Sequence, residues 1–479
     1  MIGLYEVGER ASAGSRMDEM EWNMGLYKKM LELVQRYDLE YSGPDLFLEV
    51  HEDYVDRVFD AAVDFVVEMG IYCVTSNRVI NFTEDEVRGG LKEIPEELTV
   101  GEGKDARILR KREIEDRRQV NVIGDGHRPW PVEVGRWAPT GFAKLERTDL
   151  VEGFNFPELE GKRIHGIAME AYAAKRELSI LREVVADAGR PGMAITYYPI
   201  STRASTLIAP IDPEKGLRRT DGVLLSVLPD VKVEYDLLTA AVVLSDYGSY
   251  RFNGGASAYV GGFCGDTEGA IIEVLAKGMA AWLVYRDQAQ YSFKVTKSVE
   301  ARRPPEEGRR SVVKEPSLIW PSYVLNRALS KHTNLIRFGG VFERGACGEI
   351  GSATYLLFLA ETAIVDTVLG CNFFGLHEIP ADVQFRVEVS DATIKAGIKR
   401  EEVKEILLAV EERIREKLGG IQESIPVPDR RMLLYKDFDA YFNPLQELYD
   451  FKRMEPTEKH LKSQNEAKRV LEEVGLAFS

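Results

Sequence analysis

The sequence predicts an α/β fold, a (β/α)8 barrel of the TIM type with additional N-terminal and C-terminal helices. Three observations predict it. Short apolar runs in the middle of the chain end in polar or glycine-rich loops, and helical stretches follow several of them. These runs are continuous in Val, Ile and Leu, as strands buried on both faces are. At 479 residues the chain is long for one ordinary domain but within the range of α/β barrels. A doubly wound open sheet is the structural alternative. It is disfavoured because no GxGxxG follows a strand to open a helix.

Residues 1–115 are read as a mostly helical cover, 116–395 as the barrel, and 396–479 as a helical extension packed on it. In the cover, Val55, Val58, Phe59, Ala62, Val63, Val66 and Met69 recur at helical spacing until Gly70. Ile71 to Val74 then reads as a short strand. Thr83, with Glu86 three residues on, is a capping-box signature for another helix. In the barrel, Val120 to Ile123 leads into Gly124-Asp125-Gly126, and Met193 to Ile195 leads into Thr196 and two tyrosines. Ala240 to Leu244 leads into Ser245-Asp246-Tyr247-Gly248, and Leu335 to Phe338 leads into Gly339-Gly340. Each is read as a strand and the loop at its C-terminal end. Thr354 to Cys371 is apolar but interrupted by Glu361, Thr362 and Asp366, which fits a buried helix better than a membrane span. In the extension, Lys399 to Leu418 and Pro456 to Gly475 read as amphipathic helices. The polar stretch Glu300 to Glu315, with paired prolines, reads as a mobile loop.

Composition excludes several classes. A net charge of −16 disfavours nucleic acid and anionic membrane surfaces. The basic runs Arg110-Lys111-Arg112 and Arg302-Arg303 read as solvated loops or ion pairs. Cys73, Cys264, Cys347 and Cys371 are widely spaced and form no CxxC, so neither a zinc ribbon nor a disulfide framework is indicated. With no signal-peptide pattern at the N-terminus, a cytoplasmic protein is expected. The six histidines show no HxH or HExxH spacing, which gives a bound catalytic metal no signature. Cys264 and Cys347 lack an identifiable base and read as small apolar fillers.

Motifs spread along the chain carry a resemblance. Gly70-Ile71-Tyr72-Cys73, Arg78 and Thr83-Glu84-Asp85-Glu86 form one group. Gly101-Glu102-Gly103-Lys104-Asp105-Ala106 and Arg110-Lys111-Arg112 form a second. Ala188-Gly189-Arg190-Pro191-Gly192-Met193, the turn Gly261-Gly262-Phe263 with Gly265 and Glu268, Cys347-Gly348-Glu349, and Pro456-Thr457-Glu458 with Gly475-Leu476 complete the set. Together they resemble the archaeal monomethylamine:corrinoid methyltransferases, from about Tyr27 to Phe478. The resemblance implies a barrel with active-site loops at its C-terminal mouth. It implies a reaction that moves a methyl group to cobalt(I) of a corrinoid on a separate small protein, so that this chain binds no cofactor tightly itself. It also implies a homo-oligomer. The family carries pyrrolysine, an electrophile that binds the amine, at the position of Thr196. Leu224 and Gly255 fall where it has acidic residues, and Thr333 where it has glutamine. A threonine hydroxyl cannot form an imine-type adduct, so a remodelled pocket without pyrrolysine is expected.

For such a reaction the enzyme must hold the donor, aim its methyl group and make the departing group a tolerable leaving group. A quaternary ammonium or sulfonium already carries that activation. Thr196, Asp246 and Glu268 are the expected catalytic residues. Tyr197, Tyr198, Tyr247, Tyr250, Arg190 and Thr333 are the expected substrate-binding ones. Aromatic faces attract onium groups by about 0.5–2 kcal/mol each, Asp246 and Glu268 would supply counter-charge, and Arg190 would bind a betaine carboxylate. Each also has a plainer reading. The tyrosines pack beside strands, Glu268 favours a helix dipole, Arg190 forms a structural ion pair, and Thr196 is a small filler. The expected activity is methyl transfer from an amine or betaine-like molecule to a corrinoid protein. The alternative is a non-catalytic relative that docks the corrinoid protein as a regulator or assembly partner.

Overall fold

The structure, a computed structural model, describes residues 2–40, 47–124, 132–156, 158–254, 257–291, 294–297, 316–339, 349–374, 379–418 and 438–478. The stretch 298–315, and with it the loop expected to be mobile, lies outside the described residues. Eight parallel strands follow one another in chain order: β1 Val122–Gly124, β2 Leu150–Glu152, β3 Ala194–Tyr197, β4 Gly222–Leu224, β5 Tyr250–Asn253, β6 Ala289–Tyr291, β7 Ile336–Phe338 and β8 Phe373–Phe374. β8 pairs with β1 through Phe373 and Val122. A parallel bridge between Phe338 and Asn372 joins β7 to β8, with the Gly339 N–H donating to Asn372 O at 2.7 Å and the Asn372 N–H to Arg337 O at 2.8 Å. The sheet therefore closes on itself, and the open-sheet alternative is excluded.

Each strand is followed by a helix. These are α1 Val132–Lys144, α2 Ile167–Asp187, α3 Ala204–Ile208, α4 Tyr235–Tyr247, α5 Thr267–Ala280, α6 Pro316–His332, α7 Ala353–Val368 and α8 Pro380–Ala396. Alternate strand residues face inward. Ile123, Leu150, Ala194, Leu224, Phe252, Ala289 and Ile336 belong to an inner cluster, whereas Val122, Val151, Ile195, Tyr197 and Val223 join the layer between strands and helices. The antiparallel hairpin Glu97–Val100/Arg107–Arg110 adds Val100 and Leu109 to the inner cluster. Its turn binds the approaches to β3 and β4: the Gly101 N–H donates to Thr220 O and the Glu102 N–H to Gly192 O. The hairpin thus plugs the N-terminal end of the barrel and leaves the C-terminal end as the mouth.

The local elements expected near the N-terminus form. Helix Glu52–Met69 ends on Gly70 at φ 77°, a left-handed position that suits glycine. Thr83 and Glu86 form a reciprocal capping box on helix Glu84–Lys92. Ile71–Cys73 pairs with Arg78–Ile80 and, in parallel, with Lys232–Val233 beyond β4. The apolar stretch from Thr354 is indeed a buried helix, α7. The extension supplies helices Arg400–Lys417 and Glu458–Glu473. Among the described residues no helix is long and apolar enough to cross a membrane.

Two expectations are corrected. Ala240 to Leu244 is not a strand but the middle of α4, which begins at Tyr235 and ends on Gly248 in the left-handed region. Five apolar residues cannot distinguish a strand from a slice of a buried helix, and here the run extends back to Leu237. Arg112, read as solvated, is buried: its guanidinium donates to the carbonyls of Cys371 at 2.7 Å, Asp116 and Arg118.

Candidate active site

Thr196 is the third residue of β3. Ala194, two residues earlier, is in the inner cluster, so Thr196 also faces the barrel interior. Across the ladder it pairs with Glu152, the last residue of β2, on one side and with Gly222 of β4 on the other. Gly222 pairs in turn with Tyr250 of β5. A row of Glu152, Thr196, Gly222 and Tyr250 thus crosses four adjacent strands inside the barrel. Thr196 and Glu152 are both wholly buried.

Gly222 decides where the tyrosine goes. A Cβ there would collide with the Tyr250 ring, so the bare backbone lets that ring lie across β4. The Tyr250 hydroxyl thereby comes beside the Thr196 hydroxyl. Burial pushes the Tyr250 phenol well up, and Thr196 partly offsets that shift. The two hydroxyls lie within reach of each other, and neither bonds to any other described group. Tyr250 meets Phe252 edge-on at 4.9 Å between ring centroids, and Phe252 meets Phe338 at 6.2 Å. Leu224, also an inner residue, packs beneath Gly254. The surroundings of the row are therefore aromatic and aliphatic.

Tyr198 follows β3, is half-buried and packs against the inner cluster at the mouth. Its backbone is held by Asn155 of the β2–α2 loop, whose Nδ2 donates to Tyr198 O at 2.9 Å. Glu177 of α2 fixes that loop by accepting from the Phe156 N–H at 2.8 Å and from Asn155 Nδ2 at 3.4 Å. Burial pushes the Glu177 carboxyl up to about 8, although both hydrogen bonds pull it down. Tyr197 points the other way, into the layer behind the strands. Burial raises its phenol well above the ordinary value, and the charges of Glu177 and Glu170 add to the rise.

The remaining expected residues do not join this row. Asp246 and Tyr247 close α4, just ahead of β5, and so sit at the N-terminal end of the barrel. The Tyr247 hydroxyl donates to Leu217 O at 2.8 Å, and Arg219 stacks over its ring at 4.8 Å. Arg190, in the turn before β3, donates to Thr148 O at 2.7 Å and lies 3.7 Å from Asp105. Thr333, just before β7, caps α6 through Leu329 O. Asp246, Tyr247, Arg190 and Thr333 are thus corrected from mouth to base. Glu268 stands in the first turn of α5 near Tyr54 of the cover, whose phenol it helps to raise; burial is the larger cause. Asp125, His127, Gly255 and Cys347 lie outside the described residues.

Three residues of the arrangement had been passed over. Glu152 had one available signal: a carboxylate ending the apolar pair Leu150-Val151 just before a glycine. Glu177 and Gly222 had none, because their partners are distant in sequence. Among the described residues, no group of three or more His, Cys, Asp or Glu side chains converges to hold a metal ion.

Comparison with known proteins agrees with this architecture. The family described as "Monomethylamine methyltransferase MtmB" matches residues 2–378. Monomethylamine methyltransferase MtmB2 of Methanosarcina acetivorans is 26% identical over 482 residues, which cover 99% of this chain and 98% of that protein. The MtmB of Methanosarcina mazei is 25% identical over 489 residues, with the same coverage. Among solved structures, the crystal structure of a hydroxylamine MtmB complex superimposes with a TM-score of 0.81 at 22% identity. The Methanosarcina barkeri monomethylamine methyltransferase superimposes with a TM-score of 0.80, also at 22% identity. Both superpositions cover 99% of this chain and 98% of the other.

Proposed function

This chain belongs to the monomethylamine methyltransferase family, and from that premise we propose that it moves a methyl group from a methylated amine or betaine-like molecule to a corrinoid carried by a separate protein, using ordinary side chains. The reading is supported above all by Glu152 and Thr196, which place polar groups side by side toward the C-terminal ends of β2 and β3 in a largely apolar barrel interior, with Tyr250, the first residue of β5, continuing the row toward the base. Active sites of this fold are built at that end.

The corrinoid would supply cobalt(I) as the nucleophile that accepts the methyl group. Its place in this reading is above the mouth, on the partner. The chain's own residues hold the donor. Thr196 marks the floor of the donor site, Tyr198 its rim, and Phe252 and Phe338 an apolar wall that excludes water. A donor already cationic at nitrogen needs no covalent activation. The C–N bond breaks toward nitrogen, the electron pair stays there, and a neutral amine departs. Glu177 acts at a distance by holding the Asn155–Phe156 loop against the Tyr198 backbone. Homo-oligomerisation is part of the same reading.

The full chain mixed with cobalt(I) cobalamin and a panel of N-methylated donors tests the proposal. A donor-dependent change of the cobalt absorbance spectrum, absent without the chain, is the expected result. No change with any methylamine or betaine would count against it and in favour of the second reading, a non-catalytic relative that docks the corrinoid protein. That second reading has one observation of its own: Thr196 is 0% exposed.

A further inference from the structure

The N-terminal cover carries an apolar row that its own chain does not bury. Helix Glu19–Arg36 is seated on its inner side by Trp22, Leu26, Met30 and Leu33, all buried. Asp18 caps it by accepting from the Met20 N–H at 2.9 Å, and the Trp22 indole donates to Asp230 O at 2.9 Å. Ion pairs from Lys29 to Glu68 at 2.7 Å and from Arg36 to Glu68 at 2.6 Å tie the helix to its neighbour Glu52–Met69. On the outer side stand Met20, Met24, Tyr27 and Leu31, with exposures from 59% at Met20 to 38% at Tyr27. Single exposed apolar side chains are ordinary on a protein surface. Here four share one helix, and no other described helix carries more than two large ones so exposed.

Their spacing says what fits the row. Steps of four, three and four residues give a heptad pattern, the period of a seam between two helices. Met20 and Tyr27 take position d, and Met24 and Leu31 take position a. The g positions, Asn23 and Met30, are buried against this chain. Only the e positions, Glu21 and Lys28, border the row on its open side. Among the described residues neither of these two side chains has a hydrogen bond or ion pair. In a parallel helix pair e meets g of the other copy, and here g is occupied by the chain's own packing. In an antiparallel pair e meets e. Glu21 then faces Lys28 of a second copy, and the two-fold axis repeats the pair with the roles exchanged. The same register stacks Met20 on Leu31 and Met24 on Tyr27. Charge and apolar pattern therefore both complement a reversed copy of this same helix.

We propose that helix Glu19–Arg36 is a contact between two copies of this chain: the helices pair antiparallel about a two-fold axis near Gly25 and Leu26, through the row Met20, Met24, Tyr27 and Leu31, with Glu21 and Lys28 as reciprocal charge pairs. This gives a surface and a symmetry to the homo-oligomer of the reading above, and it rests on that part of the reading and on nothing in the methyl-transfer step. Methionine and tyrosine suit the seam, since both are enriched at the buried centres of interfaces. The charges set direction and register more than strength.

The experiment is sedimentation velocity of the full chain across the micromolar range. The unmodified chain is expected to sediment as an assembly with an even number of copies. Met24→Glu combined with Leu31→Glu should halve its mass. Glu21→Lys alone, and Lys28→Glu alone, should each weaken the two-fold association by about tenfold, because the axis repeats the repulsion. The two reversals together restore opposite charges in the antiparallel register and should recover the association. All four side chains are exposed, so the melting temperature should be unchanged in every variant. A monomeric native chain, a mass indifferent to Met24→Glu with Leu31→Glu, or no recovery in the doubly reversed variant would overturn the proposal. So would a monomeric chain that uses this row to bind a corrinoid protein, since the surface would then belong to a different partner. The two readings fail separately. Cobalt methylation by an assembly indifferent to these substitutions removes this inference alone. Halved mass in the substituted chain, with no cobalt methylation by the native one, removes the methyl-transfer reading alone.

Discussion

The two ends of the barrel are built on opposite rules. At the N-terminal end, buried guanidinium groups donate to backbone carbonyls. Arg337 reaches Asn326 O, Leu369 O and Arg112 O, Arg251 reaches Ser249 O and Tyr285 O, and Arg182 reaches Gly216 O and Met193 O while pairing with Asp221. Asp221 in turn accepts from the Ile195 and Arg218 N–H groups. Burial depresses these guanidiniums, Arg182 to about 9 and Arg112 to about 10, yet they keep dense hydrogen bonding. Toward the mouth, Thr196 turns its hydroxyl to Tyr250 and to no other described group, and Glu177 is a carboxyl that accepts from Asn155 and the Phe156 N–H with no cation between them. The base is not free of unsatisfied polarity, since Ser249 Oγ, Thr148 Oγ1 and both Asp287 carboxylate oxygens close no hydrogen bond among the described residues. What separates the two ends is the set of guanidinium–carbonyl bonds that tie the base together.

Substitutions can break that contrast. Arg182→Met should cost the most, about 3–5 kcal/mol, because it leaves Asp221 buried without its cation. Urea unfolding followed by circular dichroism reads this directly, and a loss below about 1 kcal/mol would mean that the base is not where stability lies. Gly222→Ala should cost about 1–3 kcal/mol by overpacking the Tyr250 ring. It should also reduce donor binding, so a stability loss with binding intact would separate Gly222 from the site.

Glu177 gives a pH signature. Its carboxyl titrates near 8 in the folded chain against about 4.3 unfolded. Between these values the unfolded chain has already lost the proton that the folded chain retains, so stability falls as pH rises, by at most about 1.4 kcal/mol per unit. Melting temperature against pH from 5 to 8 should decline in the native chain and flatten in Glu177→Gln; parallel profiles would show that Glu177 does not carry the effect. Asp246→Asn should have the smallest effect, within about 0.5 kcal/mol of the native stability, with cobalt methylation unchanged. Loss of that activity would return the base of α4 to the active site.

The sequence made much of the architecture legible where local physics is decisive. The capping box at Thr83, the stop at Gly70 and the helix from Ala353 were all readable from residue type and spacing. Strands Leu150–Glu152, Gly222–Leu224 and Ala289–Tyr291 were not, because three residues carry no period. The misreading of Ala240 to Leu244 moved Asp246 and Tyr247 to the wrong end of the barrel, since it turned the end of a helix into the end of a strand. Of the expected site, Thr196 faces the interior and Tyr198 lies at the mouth. Tyr250 is also inward, but as part of β5 and not of a loop. An acid and an aromatic wall were expected near Thr196; Glu152 is its neighbour across the ladder, and the rings of Tyr250 and Phe252 lie against Gly222 on its other side.

The sequence by itself determined the class of fold, the major helices of the cover and extension, and the family, because these rest on periodicity, capping and motifs that act within a few residues of one another. Only the tertiary structure decided which polar residues meet. Closure of the barrel and its strand register bring Glu152, Thr196, Gly222 and Tyr250 onto one row, although nearly one hundred positions separate the first from the last. Register is set by cooperative burial of the whole inner face, and no short stretch of sequence contains that information.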